Sequence, residues 1–268
     1  MIPSFASQLS QEYKKHHLFV ELEEMKSFYD DLSDRLFNFV STSTKALVNY
    51  ESYYLMSIYG TLDSVKKILE IGRINDSIVL VRKIFDDILT GIYFDVTIKD
   101  RLNDFESLYV EELQQWIDAS FRIPTLKKIL KVLEYSPYTK DLYPYFGWET
   151  NLKRYRHFLD DSVHLNSYSK VLYNCNTINI GENRVKLLNS LSVILKQLMT
   201  LHMSFLIHLN PVYFIASDYF DYCEFGETPP KGSESWFACF AQDAFDKYIK
   251  PYPKLANYIK SNCCLNIL

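Results

Sequence analysis

Two neighbouring stretches of helical periodicity constrain the fold of this chain more than any other feature. Apolar residues recur at spacings of four, four, three and four in the first stretch, and of three, four, three and four in the second. They are Tyr54, Ile58, Leu62, Val65 and Leu69, followed by Ile78, Val81, Phe85, Ile88 and Ile92. Such spacings place the side chains on one face of an α-helix. The sequence therefore predicts two amphipathic helices in succession.

The residues between these stretches predict an antiparallel helical hairpin. Gly72 follows the last apolar position of the first helix and favours a C-cap there, because glycine readily adopts a positive φ. Asn75 or Asp76 is a favourable N-cap for the second helix. A turn this short leaves the two helices side by side and antiparallel.

The composition favours an all-α fold. The 268 residues include only 7 Gly and 9 Pro, and an all-β chain with many hairpins needs more turn residues. Hydrophobic residues make up 48% and charged residues 23%, which excludes a mainly disordered chain. We expect a helical bundle over residues 1–210. An irregular, aromatic and Pro-containing C-terminal arm, residues 211–268, is expected to pack on it within one structural domain.

Charge and cysteine usage narrow the cellular context. The net charge of −4 argues against a dedicated nucleic-acid coat protein, although a nuclease needs only a small basic site. The five Cys lack the CxxC spacing of a zinc site, and their odd number fits reduced thiols in the cytoplasm. No signal peptide is recognisable in the first residues. We therefore expect a cytoplasmic protein.

The most apolar stretch, residues 187–215, predicts a buried core helix. It contains Lys196, His202 and Asn210, whereas a membrane span of about 20 residues is nearly free of such groups. No membrane association is expected. A membrane-associated protein that uses this stretch is the weaker alternative.

The first candidate for chemistry lies on a helix predicted over residues 150–164. His157, Asp160, Asp161 and His164 share one helix face, and Arg156 stands beside them. A His next to an Asp acts as a general acid or base near neutral pH, and an Arg can hold a phosphate. The same spacings are also typical of solvated ion pairs, and a His near a helix C-terminus interacts favourably with the helix dipole.

The second candidate lies on the helix after Gly72. Arg82 and Asp86 are four residues apart and are expected to pair, and Phe85 beside them indicates partial burial. Since desolvating an ion pair is costly, the pair has either a structural role between two helices or a role in a site.

The third candidate is the aromatic and acidic segment 217–236, which contains Thr228, Pro229 and Pro230. No reaction requires this set of residue types. The segment predicts a packing arm or a surface for a protein partner. In the second case, Tyr219, Tyr222 and Trp236 would form an exposed apolar patch.

Three segments, 72–87, 159–167 and 217–230, look like segments of a group of uncharacterised bacterial proteins. The layout resembles the HEPN superfamily of helical bundles. Many of its members are metal-independent RNases in toxin, CRISPR-associated and phage-defence systems, and their site usually forms across a dimer. In that superfamily an Arg, a polar residue and then a His after four to six intervening residues make the active site.

Arg156, His157 and His164 follow this pattern, but seven residues separate Arg156 from His164. One extra residue turns the Arg by about 100° around the helix, so we prefer Arg82 from the neighbouring helix as its substitute.

The resemblance implies an endoribonuclease that needs no metal or cofactor. His164 would act as general acid or base, and Arg82 or Arg156 would stabilise the phosphate. Asp161 or Asp86 would orient these groups. The partners would be RNA and a second copy of the chain, in a bacterial defence or toxin context. The alternative is a non-catalytic interaction or scaffold module, an immunity or sensor partner, that uses the 217–236 segment.

Overall fold

The fold is all-α. A computed structural model describes residues 9–37, 43–46, 49–102, 109–175 and 181–268. Its helices are α1 (Gln11–Lys14), α2 (Leu18–Phe37), α3 (Tyr50–Glu70), α4 (Ile74–Leu102), α5 (Glu111–Ile117), α6 (Leu126–Tyr135), α7 (Lys153–Val163), α8 (Tyr168–Leu172), α9 (Gly181–Leu209), α10 (Ser217–Glu224), α11 (Cys239–Tyr248) and α12 (Pro253–Asn262).

Short non-α turns and isolated bridges complete the described backbone. The 3₁₀ turns are Tyr143–Tyr145, Pro211–Phe214 and Ser233–Ser235, and Trp148–Leu152 is a π-helical turn that leads into α7. β-pairing within the described ranges is limited to two isolated bridges, Ile215 with Phe237 and Trp236 with Asn266. The bundle therefore depends on helix packing and not on a sheet.

The predicted helical hairpin is confirmed in α3 and α4. Nine of its ten periodic apolar positions are buried, and Tyr54 is the partly buried exception. Gly72 ends α3 with a φ of 79°, and its N–H donates to the Leu69 carbonyl at 2.8 Å. Lys83 on α4 donates to Thr61 on α3 at 3.3 Å. The C-cap prediction at Gly72 is thus confirmed.

The predicted N-cap of α4 is wrong. The helix begins at Ile74, so Asn75 and Asp76 lie in its first turn. Their backbone N–H groups donate to the side-chain oxygen of Asn174 at 3.0 and 3.4 Å. The Asn174 amide nitrogen in turn donates to Asp76 at 2.7 Å. The cap therefore comes from a residue about 100 positions away, which local sequence cannot reveal.

The described residues form two compact units. The first lies within the ranges 1–30, 54–88 and 146–198, and the second within 31–53, 89–145 and 199–268. Fully buried apolar side chains fill each. In the first unit these include Leu22, Ile58, Val65, Ile78, Val81, Phe85, Leu159, Leu188 and Leu191, and in the second Leu32, Phe94, Leu113, Leu133, Phe205, Phe214, Phe245 and Ile259. The predicted boundary at residue 210 stays a prediction.

Helix α9 is apolar enough and long enough to cross a membrane by composition and length alone. Yet 78% of its most apolar window is buried inside the protein, as in the predicted core helix. Among the described residues it is the single helix of this kind, which is weak evidence for a membrane span.

The C-terminal segment is more helical than the sequence predicts. The sequence predicts an irregular arm over residues 211–268, whereas the structure has the helices α10, α11 and α12 there. Pro253 stands at the first position of α12, where its missing N–H costs nothing. The aromatic residues that indicated an irregular arm are compatible with short helices, because their burial supplies the packing that stabilises them.

Candidate functional site

Arg82 is the centre of an ion network that joins α4 to α7. Its Nε donates to Asp160 Oδ1 at 2.5 Å, and its Nη1 pairs with Asp86 one turn further along α4. The Arg82 side chain is only 11% exposed, whereas that of Asp86 is 56% exposed. The predicted pairing of Arg82 with Asp86 and its partial burial are confirmed. The bond to Asp160 adds a link between two helices that lie far apart in sequence.

The charge of Arg82 is stabilised by these two partners. Burial lowers its pKa, but the hydrogen bonds and charges of Asp86 and Asp160 outweigh burial and raise the pKa above its ordinary value. These contacts use Nε and Nη1, and the remaining N–H donors of the guanidinium belong to a side chain that is only 11% exposed, so little of it is open to a ligand. Arg82 is therefore placed to fix the position of Asp160 rather than to bind a phosphate itself.

Arg156 contacts the second oxygen of the Asp160 carboxylate. Its Nε lies 3.3 Å from Asp160 Oδ2, one turn away on α7. This nitrogen is buried and completes no hydrogen bond with any described residue, although it lies within ion-pair distance of Asp160. The Arg156 side chain is 30% exposed, nearly three times as much as that of Arg82. Asp160 thus holds two guanidinia, and the more open one is Arg156.

His164 follows α7 directly as its C-cap residue. Its backbone N–H donates to the Asp160 carbonyl at 3.0 Å. The side chain is exposed, and within the described part of the chain its imidazole has no hydrogen bond or ion pair. Residues four apart differ by about 40° around a helix. His164 therefore lies on the same side of α7 as Asp160, one turn beyond it.

Asp161 is not part of this network. Its Oδ1 accepts a hydrogen bond from Asn166 Nδ2 at 2.9 Å. That hydrogen bond lowers the pKa of Asp161, and the charges of His157 and Lys170 lower it further. Of the sequence-predicted site residues, the structure thus brings together Arg82, Asp86 and Arg156. His164 stands on the adjoining turn, and Asp161 is bonded elsewhere.

Asp160 is the connecting residue that the sequence interpretation left without a role. It accepts from Arg82 on α4 and pairs with Arg156 on α7. The spacing of four from Arg156 is a visible signal for the second contact. Nothing in the sequence signals the first contact, because it depends on how α4 and α7 pack.

A second polar cluster, in the other unit, was also missed. Glu51 on α3 and Asp95 on α4 are both desolvated, and their burial raises the pKa of both carboxyls. The Tyr50 hydroxyl donates to Glu51 at 3.2 Å, and Tyr213 also bonds to Glu51. The charge of Lys99 acts in the opposite direction, because it lowers the pKa of both Glu51 and Asp95. The two carboxyls retain protons in the folded state at a higher pH than they would in the unfolded state. Their contribution to the free energy of unfolding therefore depends on pH.

Two of the three residues named for an exposed patch on the 217–236 segment are partly buried. These are Tyr219 and Tyr222, whereas Trp236 is 37% exposed. The most exposed ring of the segment is Phe225, at 80%. A backbone hydrogen bond joins the two ends of the segment, because the Ala216 N–H donates to the Trp236 carbonyl at 2.7 Å.

Across the described ranges, no group of three or more His, Cys, Asp or Glu side chains is arranged to hold a metal ion. In comparisons with known proteins, no family model matches this chain, and no curated protein or solved structure matches it either.

Proposed function

We propose that this chain is a HEPN-like, metal-independent endoribonuclease whose site lies along α7. His164 acts as the general base, and Arg156 binds the phosphate that reacts. Asp160 and Arg82 act as positioning residues, with Asp86 holding Arg82. The substrate is RNA, a second copy of the chain is the partner that the resemblance implies, and the context is bacterial defence or toxicity.

One observation carries this proposal. A single carboxylate, Asp160, contacts the guanidinium of Arg82 on one oxygen and that of Arg156 on the other, while the exposed His164 follows one turn later on the same side of α7. Arg82 anchors the carboxylate, and the carboxylate orients Arg156. Arg156 and His164 lie eight residues apart, about 12 Å along the axis of α7, and a guanidinium and an imidazole are the groups that phosphodiester cleavage requires.

The reaction follows from these groups. His164 takes the proton of a ribose 2′-hydroxyl, and the 2′-oxygen attacks the neighbouring phosphorus. The bond from phosphorus to the 5′-oxygen breaks, and the departing oxygen takes a proton from water. The products are a 2′,3′-cyclic phosphate and a 5′-hydroxyl, and His164 afterwards returns its proton to solvent. The negative charge that develops on the phosphate oxygens is stabilised by Arg156.

The test is cleavage of a single-stranded RNA in the presence of EDTA. We expect cleavage by the wild type, a loss of at least about 100-fold in His164→Ala, and no cleavage of the matching 2′-deoxy oligonucleotide. His17→Ala is the control, because it removes another exposed imidazole that lies outside α7. An intact RNA after incubation with the folded wild type would overturn the proposal. A loss in His164→Ala that merely follows a lower melting temperature would also count against it.

A second function, a protein-binding module, is favoured by the exposure of Phe225 and Trp236 on the 217–236 segment. An exposed aromatic side chain can serve as an anchor residue in a partner's pocket. If this is the function, RNA stays intact and Phe225→Ser abolishes complex formation with the partner while the melting temperature is unchanged.

A further inference from the structure

Lys170 on α8 is a buried lysine held by aromatic rings. Only 8% of it is exposed. Its Nζ lies 5.0 Å from the centre of the Phe158 ring on α7 and 5.5 Å from that of the Tyr173 ring. Ring faces attract an ammonium group, and two of them fix where it points. The charge is thus placed by packing, at a position adjoining α7.

In the part of the chain that the structure describes, no carboxylate lies at contact distance from the ammonium group of Lys170. Among the described residues it has no ion pair and no hydrogen bond, whereas Lys26, equally buried, pairs with Glu23 and Asp63. The carboxylate that feels its charge is Asp161, which already accepts a hydrogen bond from Asn166. Buried cations are almost always paired, so an unpaired one indicates a missing anion.

The Nζ atom remains reachable from solvent. Within the described ranges it has no hydrogen-bond partner, and yet it is not one of the fully enclosed unpartnered nitrogen atoms, which include Arg35 Nε and Arg156 Nε. Most of the side chain is therefore buried, and Nζ keeps some contact with solvent.

The surroundings of Lys170 favour an anion of extended shape. The exposed side chains of Arg154 and His157 lie on α7, and His164 follows at its end. His157 and Lys170 both act on the charge of Asp161, so the two cationic groups lie near one another beside α7. We propose that Lys170 binds a backbone phosphate of the RNA, next to the phosphate that is cleaved. This inference rests on the proposed function, because it takes RNA as the substrate.

The test measures the salt dependence of binding. A labelled 12-nucleotide single-stranded RNA is titrated with the wild type, Lys170→Met, Lys170→Arg and, as a control, Lys254→Met, which removes an exposed lysine on α12. Each phosphate contact to a single strand contributes about 0.7 to the slope of log K against log salt concentration. We expect Lys170→Met to bind about tenfold more weakly at low salt and its slope to fall by about 0.7. Lys170→Arg and Lys254→Met should keep the wild-type slope.

The outcomes separate the two proposals. If the wild type binds RNA with the expected slope change in Lys170→Met but does not cleave it, the ribonuclease proposal fails, and Lys170 keeps its role as a phosphate contact in RNA binding. If the wild type cleaves RNA and Lys170→Met keeps the wild-type slope, the role of Lys170 is wrong and the ribonuclease proposal stands. A wild type that binds no RNA overturns both. Melting temperatures of all variants exclude unfolding as the cause, and Lys170→Arg provides the charged variant if Lys170→Met does not fold.

Discussion

Arg82 and Asp160 lie 78 residues apart in sequence and are bonded at 2.5 Å, from Nε to Oδ1. The bond ties α4 to α7 at a point where Arg82 is almost fully enclosed and Asp160 is about one-third exposed. A partly buried pair of this kind is stronger than a surface pair, because water screens it less.

We predict a measurable coupling energy between Arg82 and Asp160. A double-mutant cycle with Arg82→Met and Asp160→Asn should give about 1.5 kcal/mol in urea unfolding, since the hydrogen bond is charged but partly solvated. The matched control is the exposed pair Lys153 and Glu149, for which about 0–0.5 kcal/mol is expected. Equal coupling in the two cycles would contradict the structural role given to Arg82.

Arg156 and Arg82 are predicted to differ in what their removal affects. Arg156→Gln should lower RNA cleavage by about 100-fold or more, because it removes the donors that stabilise the phosphate, and should leave the melting temperature nearly unchanged. Arg82→Met should lower the melting temperature as well as the activity. Parallel measurements of cleavage and thermal unfolding check this. If Arg82→Met loses activity and Arg156→Gln keeps full activity, then Arg82 and not Arg156 binds the phosphate.

The carboxyls of Glu51 and Asp95 are predicted to make the protein less stable as the pH rises. Their pKa values are raised in the folded state by burial, so the folded state binds more protons than the unfolded state above the ordinary values of 4.5 and 3.8. Stability contributed by these protons is complete below those values and is lost as the pH rises through the folded-state pKa values.

The measurement is the free energy of unfolding of the wild type and of Glu51→Gln/Asp95→Asn between pH 5 and about pH 8. The double variant should lose less stability as the pH rises. Asp243→Asn, at an exposed carboxyl of α11, serves as the control and should follow the wild type. Parallel curves for the wild type and the double variant would show that the two carboxyls do not retain their protons.

His202 on α9 is predicted to oppose folding in acid. Burial lowers its pKa from 6.5 to about 3, so between these values the unfolded state takes up a proton that the folded state does not. Stability is therefore lost as the pH falls below 6.5, by about 1.4 kcal/mol per pH unit and about 5 kcal/mol in all.

Urea unfolding of the wild type and of His202→Phe between pH 7 and pH 4 measures this effect. The difference in unfolding free energy between the two proteins should change with that slope, in favour of the variant at low pH. A pH-independent difference would contradict this, because it would mean that His202 binds its proton as readily in the folded state as in the unfolded state.

Local pattern was sufficient for much of the fold, as α3 and α4 illustrate. Their periodic positions are buried, and Gly72 ends α3 in the left-handed conformation that the sequence indicated. Pattern failed at the start of α4. There the orphan N–H groups of the first turn are capped by Asn174, and a nearby Asn or Asp in sequence gave a misleading signal.

The candidate site was predictable only within single helices. The pairs Arg82 with Asp86 and Arg156 with Asp160 follow from a spacing of four residues. The bond from Arg82 to Asp160, the cation of Lys170 between two rings, and the approach of Glu51 to Asp95 each join different elements. Their distances depend on packing angles that no short segment encodes.

The sequence by itself determined that this chain is all-α, where its main helices run and which helix faces are apolar. Helical hydrogen bonds and the burial of one helix face depend on residues three and four positions apart. Those properties can therefore be predicted from short segments of sequence. Only the tertiary structure decided that Asp160 holds both guanidinia and that Lys170 has no carboxylate partner among the residues that the structure describes. Charges act through space over a few ångströms, and the distances that set their strength exist only once the helices have packed.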